Sequence, residues 1–241
     1  MGNKDLNIIM LYDLAKQFYP FYYNEHTSAY FVTEEARRLY NVVANKDNNE
    51  LYLTRFSSFA AHLKETFPES DLFEIRNNRP SLTLRMNYYF NIGHHSAIKV
   101  FLSFSLLDNY YVFFIESYWP HSQKVVIGSP KFELADFFLK IDHMIEASFP
   151  DFRFVPTHFA RANFFDLTVP GYTKSSQYDG SLLNKANILN ALFFEYENFS
   201  AISDRSYKYD RRPDSVEQDR NDEIMKILKV LCDESKSEKE L

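Results

Sequence analysis

Across residues 82–105 apolar side chains recur at every second position, and this period limits what the chain can fold into. Leu82, Leu84, Met86, Tyr88 and Phe90 alternate with Thr83, Arg85, Asn87 and Tyr89. Ile98, Val100, Leu102 and Phe104 alternate with Lys99, Phe101, Ser103 and Ser105, and residues 110–119 are apolar on both faces. Successive side chains of a strand point to opposite faces of a sheet, so the pattern predicts two half-buried strands and one covered on both sides. The links between them are too short for crossovers, which makes the strands antiparallel neighbours. With flanking strands at 72–76 and Lys124–Ile127, the expected sheet is a meander of about four to five strands.

Alternation also suggests a register. Tyr88 facing Ile98, Met86 facing Val100 and Leu84 facing Leu102 puts all six on one face. A second turn near 107–109 would pair Phe104 with Phe113, Leu102 with Ile115 and Ile98 with Trp119. Continued, that register sets His121 beside Ser96.

Elsewhere the period is helical. Residues 4–19 carry the stripe Leu6, Met10, Leu14 and Phe18, widened by Ile9, Leu11 and Tyr12 until the helix is apolar most of the way round. Such a helix is deeply buried or shared with a partner. Thr33 caps a helix with stripe Ala36, Leu39, Tyr40 and Val43, and Asp47 with Glu50 forms a capping-box pattern for the next. That next helix carries Tyr52, Phe56, Phe59, Ala60, Leu63 and Phe67, of which Phe56, Phe59 and Leu63 are expected to pack on Leu84, Val100, Leu102 and Ile115. Ser129 and Pro130 open another helix, with stripe Leu134, Phe137, Phe138, Ile141, Met144 and Ile145. Residues 151–155 and 163–169 read as strands, 170–181 as a loop, and a last helix carries Leu182, Ala186, Leu189, Phe193 and Tyr196. The predicted fold is therefore α+β, an antiparallel meander covered by helices from both ends of the chain.

The domain is expected to span residues 1–202. Residues 203–241 hold nine Lys/Arg and eleven Asp/Glu, and read as a charged linker and arm. Within the arm Ile224, Ile227, Leu228 and Leu231 fall on one helical face, too short to be stable alone. They are the expected partner-binding residues.

Two adjacent histidines, His94 and His95, sit at the predicted hairpin tip, residues 91–95. With His121 at the same sheet edge and Glu116 on the central strand, these are ligand types for zinc, iron or manganese, and imidazole is a common general base. A metal-dependent hydrolase or nuclease is the alternative this raises. Against it, neighbouring residues on a strand point apart, and no HExxH or HxH spacing occurs. A polar turn is the favoured reading, with no metal and no cofactor.

Other chemistry lacks its motif. The five glycines form no phosphate loop, there is no GxSxG, and the single cysteine, Cys232, lies in the charged arm. The net charge of −6 disfavours nucleic acid. Arg205, Lys208, Arg211 and Arg212 lie among Tyr207 and Tyr209, but acidic residues and Pro213 interrupt them, as in a solvated linker. No signal peptide or apolar run of about 18 residues is present, so no membrane span and a cytoplasmic location are expected. Aromatic residues make up 17% of the chain, enough to fill a core and leave surface for a partner. These features together predict a non-catalytic interaction or assembly subunit, such as a viral connector, immunity protein or scaffold. Its partner would be another protein or a second copy.

Overall fold

A computed structural model of the chain describes residues 6–23, 27–75, 78–92, 95–118, 124–127, 135–163, 166–171, 173–175, 182–184 and 186–194. The fold is α+β. Strands β1 (Asp71–Ile75), β2 (Ser81–Ile92), β3 (His95–Ser105), β4 (Tyr110–Tyr118) and β5 (Lys124–Ile127) form an antiparallel meander in sequence order. The two-residue strand β6 (Arg153–Phe154) adds in parallel to the start of β4.

The β2–β3 register is the one the alternation predicts: Leu84, Met86 and Tyr88 face Leu102, Val100 and Ile98. The β3–β4 register differs by two residues. Phe104 pairs with Tyr111, Leu102 with Phe113, and Ile98 with Ser117. The turn is tighter than alternation implies, closing Phe104 on Tyr111, and its ends bond to neighbouring segments, Leu106 N–H to Pro80 O and Arg153 N–H to Asn109 O. Those bonds tie the turn to segments that alternation says nothing about. A slip of two keeps every side chain on its face.

One face of the sheet is the dry side. Helix α4 (Ser57–Thr66), entered through a π turn at Tyr52–Phe56, and helix α5 (Ala135–Ser148) lie on it. Phe56, Phe59, Leu63 and Phe67 meet Phe138, Ile141, Met144 and Ile145 over Leu84, Val100, Leu102 and Ile115, as the helical stripes require. The π turn and α4 begin at a cap supplied by Asn49, whose Oδ1 accepts from Leu51 N–H at 2.9 Å. Asp47 instead lies in a short 3₁₀ turn, Lys46–Asn48. Both Phe67-Pro68 and Phe149-Pro150 end a helix and lead into a strand, but β1 joins the sheet antiparallel and β6 parallel.

The opposite face is covered by helix α1 (Ile8–Lys16), helix α3 (Glu34–Ala44), and short helices α6 (Thr157–Ala160) and α7 (Ile188–Leu192), while helix α2 (Ser28–Phe31) packs beside α3. Helix α1 buries Ile8, Leu11, Leu14 and Ala15, while Met10 is exposed. A helix apolar all round has no unique stripe, and here the chosen one is rotated from Leu6–Met10–Leu14–Phe18. Thr33 caps α3, accepting from Ala36 N–H at 3.2 Å. Ala36 and Leu39 are buried, but Tyr40 is not. The last core helix is shorter than its apolar pattern: Leu182 belongs to strand β8 (Leu182–Asn184), paired with strand β7 (Thr173–Ser175). Of residues 163–169, the described ones, 163 and 166–169, join no named strand; the bridges there are Phe21 with Leu167 and Asn163 with Asn187. Ser129, Pro130, Leu134, Tyr196 and all of 203–241 lie outside the described residues.

Tyr19 anchors the chain as it leaves α1. It is fully buried, and its hydroxyl donates to Ala191 O at 2.6 Å. Burial pushes its phenol up to about 12, with Arg79 opposing the shift. The neutral phenol is thus favoured by folding, so its contribution is complete below pH 10 and is lost as pH rises towards 12. Tyr19→Phe should flatten that part of the alkaline stability curve, measured by urea unfolding at stepped pH. An unchanged slope would contradict this assignment.

Candidate functional site

The helix-covered face just described carries polar sheet residues arranged in cross-strand rungs. Ser81, Thr83 and Ser103 form one group under α7. Thr83 Oγ1 lies 2.7 Å from Ser103 Oγ, and Ser81 Oγ donates to Phe193 O. Next comes an aromatic rung, in which Phe101 and Phe114 stack with each other at 5.1 Å and with Phe194 at 5.7 and 6.0 Å. Beyond this stack lies a charged rung. Asp71, Asn87, Lys99 and Glu116 are direct register partners across β1 to β4.

In that rung Glu116 is only 3% exposed and pairs with Lys99 at 3.4 Å. Burial disfavours an uncompensated carboxylate, and Lys99 places a cation beside this one. The acid that sequence reading placed among histidine ligands therefore has a cation as its neighbour. His95 opens β3 and pairs with Ile92 after a register irregularity, so the strands run closer to the tip than residues 91–95 would allow. His94 and His121 lie outside the described residues, and the β3–β4 register that put His121 beside Ser96 is displaced by two. Among the described residues no group of three His, Cys, Asp or Glu side chains could hold a metal ion.

Arg85 was legible in the sequence only as a polar member of an alternating strand. In the fold it faces Phe73 across β1–β2, with its guanidinium carbon 4.8 Å from the ring centroid. Two buried atoms here, Arg85 Nε and Asn87 Oδ1, have no hydrogen-bond partner among the described residues. Phe73 and Tyr89 are exposed beside them.

A second feature lies on the amino-terminal helices. Phe31 is 64% exposed, Val32 61% and Tyr40 72%. The backbone beneath them is fixed by buried Tyr30, the Thr33 cap and buried Leu39. No local sequence signal separates Tyr40 from its buried neighbours, because it sits on the shoulder of the α3 stripe.

A cleft of about 540 Å³ opens between residues 49–55, the β3–β4 turn and Phe152. Its polar groups serve the fold. Arg55 grips Asp151 at 2.6 Å and Ser148 O at 2.9 Å, and Asn109 Nδ2 donates to Asp151 at 3.1 Å. The Arg55 hydrogen bond holds the Asp151 carboxyl below its usual value.

Among the described residues no helix is long and apolar enough to cross a membrane. The partner-binding residues expected from sequence, Ile224, Ile227, Leu228 and Leu231, lie outside the described residues. Comparison of the chain with protein-family models, curated proteins and solved structures finds no match.

Proposed function

We propose that the protein is a non-catalytic interaction or assembly subunit whose amino-terminal helical edge is covered by a partner protein. The observation that carries this reading is the exposure of Phe31, Val32 and Tyr40 on a backbone that is itself well anchored. Large apolar side chains held in water by rigid helices lose free energy that an interface recovers. Aromatic residues of this kind are also the usual anchors of protein interfaces. The arm stripe Ile224, Ile227, Leu228 and Leu231 belongs to the same proposal on sequence grounds alone. A cytoplasmic complex or assembled particle is the setting that a lone cysteine suits best.

The test is quantitative affinity capture from the source cells, comparing the unmodified chain with Phe31→Asp and Tyr40→Asp. Both substitutions are on the surface and should shift stability by no more than about 0.5 kcal/mol. A stoichiometric partner retained by the unmodified chain and lost by both variants is the expected result. Equal capture by all three chains would contradict the proposal.

A further inference from the structure

Strand β1 is an open edge of the sheet: among the described residues it pairs with β2 alone. Asp71, Phe73 and Glu74 on it are exposed. An edge strand presents unpaired N–H and C=O groups to any further strand, and charges such as Asp71 and Glu74 usually discourage that. Arg85 works in the other direction. It belongs to β2, the second strand in, yet its guanidinium lies over the Phe73 ring of the edge strand. None of the described carboxylates pairs with it. Its Nε is buried without a hydrogen-bond partner, and so is Asn87 Oδ1 two residues along the same face. On the other face Leu72 is half-buried against the α4 core, so an apolar neighbour there would extend that core.

We propose that β1 receives an extended segment of a partner protein as an additional strand, and that one carboxylate on this segment pairs with Arg85. Main-chain bonds to the edge would supply affinity, and alternate side chains would supply selectivity. Apolar residues would lie beside Leu72, and a single acidic residue would lie beside Phe73 within reach of Arg85. A second acid two residues away would meet Asp71 and be repelled. A second copy of this chain fits less well. Pairing β1 with itself about Phe73 puts no carboxylate on the Arg85 rung, and pairing about Leu72, which does set Asp71 beside Phe73, brings the two Asp71 carboxylates to diagonal positions on one face of two chains that each carry a net charge of −6. This surface is on the sheet edge and does not depend on Phe31, Val32 and Tyr40.

The probe is a capped seven-residue peptide alternating valine with serine and carrying glutamate at its centre, labelled with fluorescein. Its anisotropy is titrated with the full chain. Replacing the glutamate by glutamine should weaken binding about tenfold, the scale of one charge-assisted contact. With Arg85→Gln protein the two peptides should bind alike. Methylating alternate backbone nitrogens should abolish binding when one peptide edge is blocked and leave it intact when the other is, a control that leaves the protein unaltered. The proposal is overturned if no peptide binds, if Arg85→Gln keeps the preference for glutamate, or if neither methylated edge matters. A concentration-dependent dimer of the chain alone, abolished by Phe73→Asp in sedimentation runs, would overturn it in favour of a second copy.

Discussion

Phe104→Ala is expected to remove about 3–5 kcal/mol from the free energy of unfolding. The side chain is fully buried near the end of β3, where both helices of the dry face converge. Its ring centroid lies 4.2 Å from that of Phe149, 5.8 Å from Phe59 and from Phe152, and 6.0 Å from Phe56 and from Tyr111. Truncation deletes contacts with α4, with the segment after α5, and with β4 at once. The neighbours cannot close over the void, because strand register holds Tyr111 and the Arg55 clamp on Ser148 and Asp151 holds Phe149 and Phe152. Arg55 also lies 4.9 Å from the Phe149 ring centroid, which stiffens that wall. Urea titration would show a lower midpoint with an unchanged slope. A loss below about 1 kcal/mol would mean that the dry face is not the core it is argued to be.

Lys99→Met should cost about 2–3 kcal/mol at neutral pH, more than an exposed ion pair can account for. Lys99 is itself partly exposed, but its partner Glu116 is not. Removing the cation leaves a buried carboxylate in place, and the penalty falls on that group. Adding Glu116→Gln should recover much of the deficit, making the double variant more stable than Lys99→Met alone. If Lys99→Met stays within about 0.5 kcal/mol of the unmodified chain at pH 7, the charged rung does not depend on this pair.

The parts of the fold that sequence reveals are those in which one face must be dry. The alternation from Leu82 to Phe104 determines which side chains share a face, and the stripe Phe56–Phe59–Leu63 can only cover it. Details independent of burial are not legible in this way. The two-residue displacement between β3 and β4 keeps every face, so alternation cannot detect it. Helix α1 could present several stripes equally well, and tertiary packing selects Ile8, Leu11, Leu14 and Ala15. Strand β7 lies in a segment that reads as a loop, and β8 lies where Leu182 reads as the start of a helical stripe.

The candidate surfaces were less legible for a related reason. Tyr40 reads as part of a buried stripe because Ala36, one turn back, and Leu39, immediately before it, are buried. Arg85 reads as an ordinary solvent-facing strand residue. Only the β1–β2 register brings it over Phe73, with no carboxylate paired to it among the described residues. The histidines are conspicuous in the sequence because they are adjacent, and adjacency on a strand separates side chains instead of gathering them.

Hydrogen–deuterium exchange of the full chain, alone and in complex with its captured partner, tests the account most directly. Protection on complex formation is predicted at Ser28–Phe31 and through Glu34–Ala44. Protection concentrated at the β2–β3 hairpin around Ile92 and His95, with residues 28–44 unchanged, would contradict it.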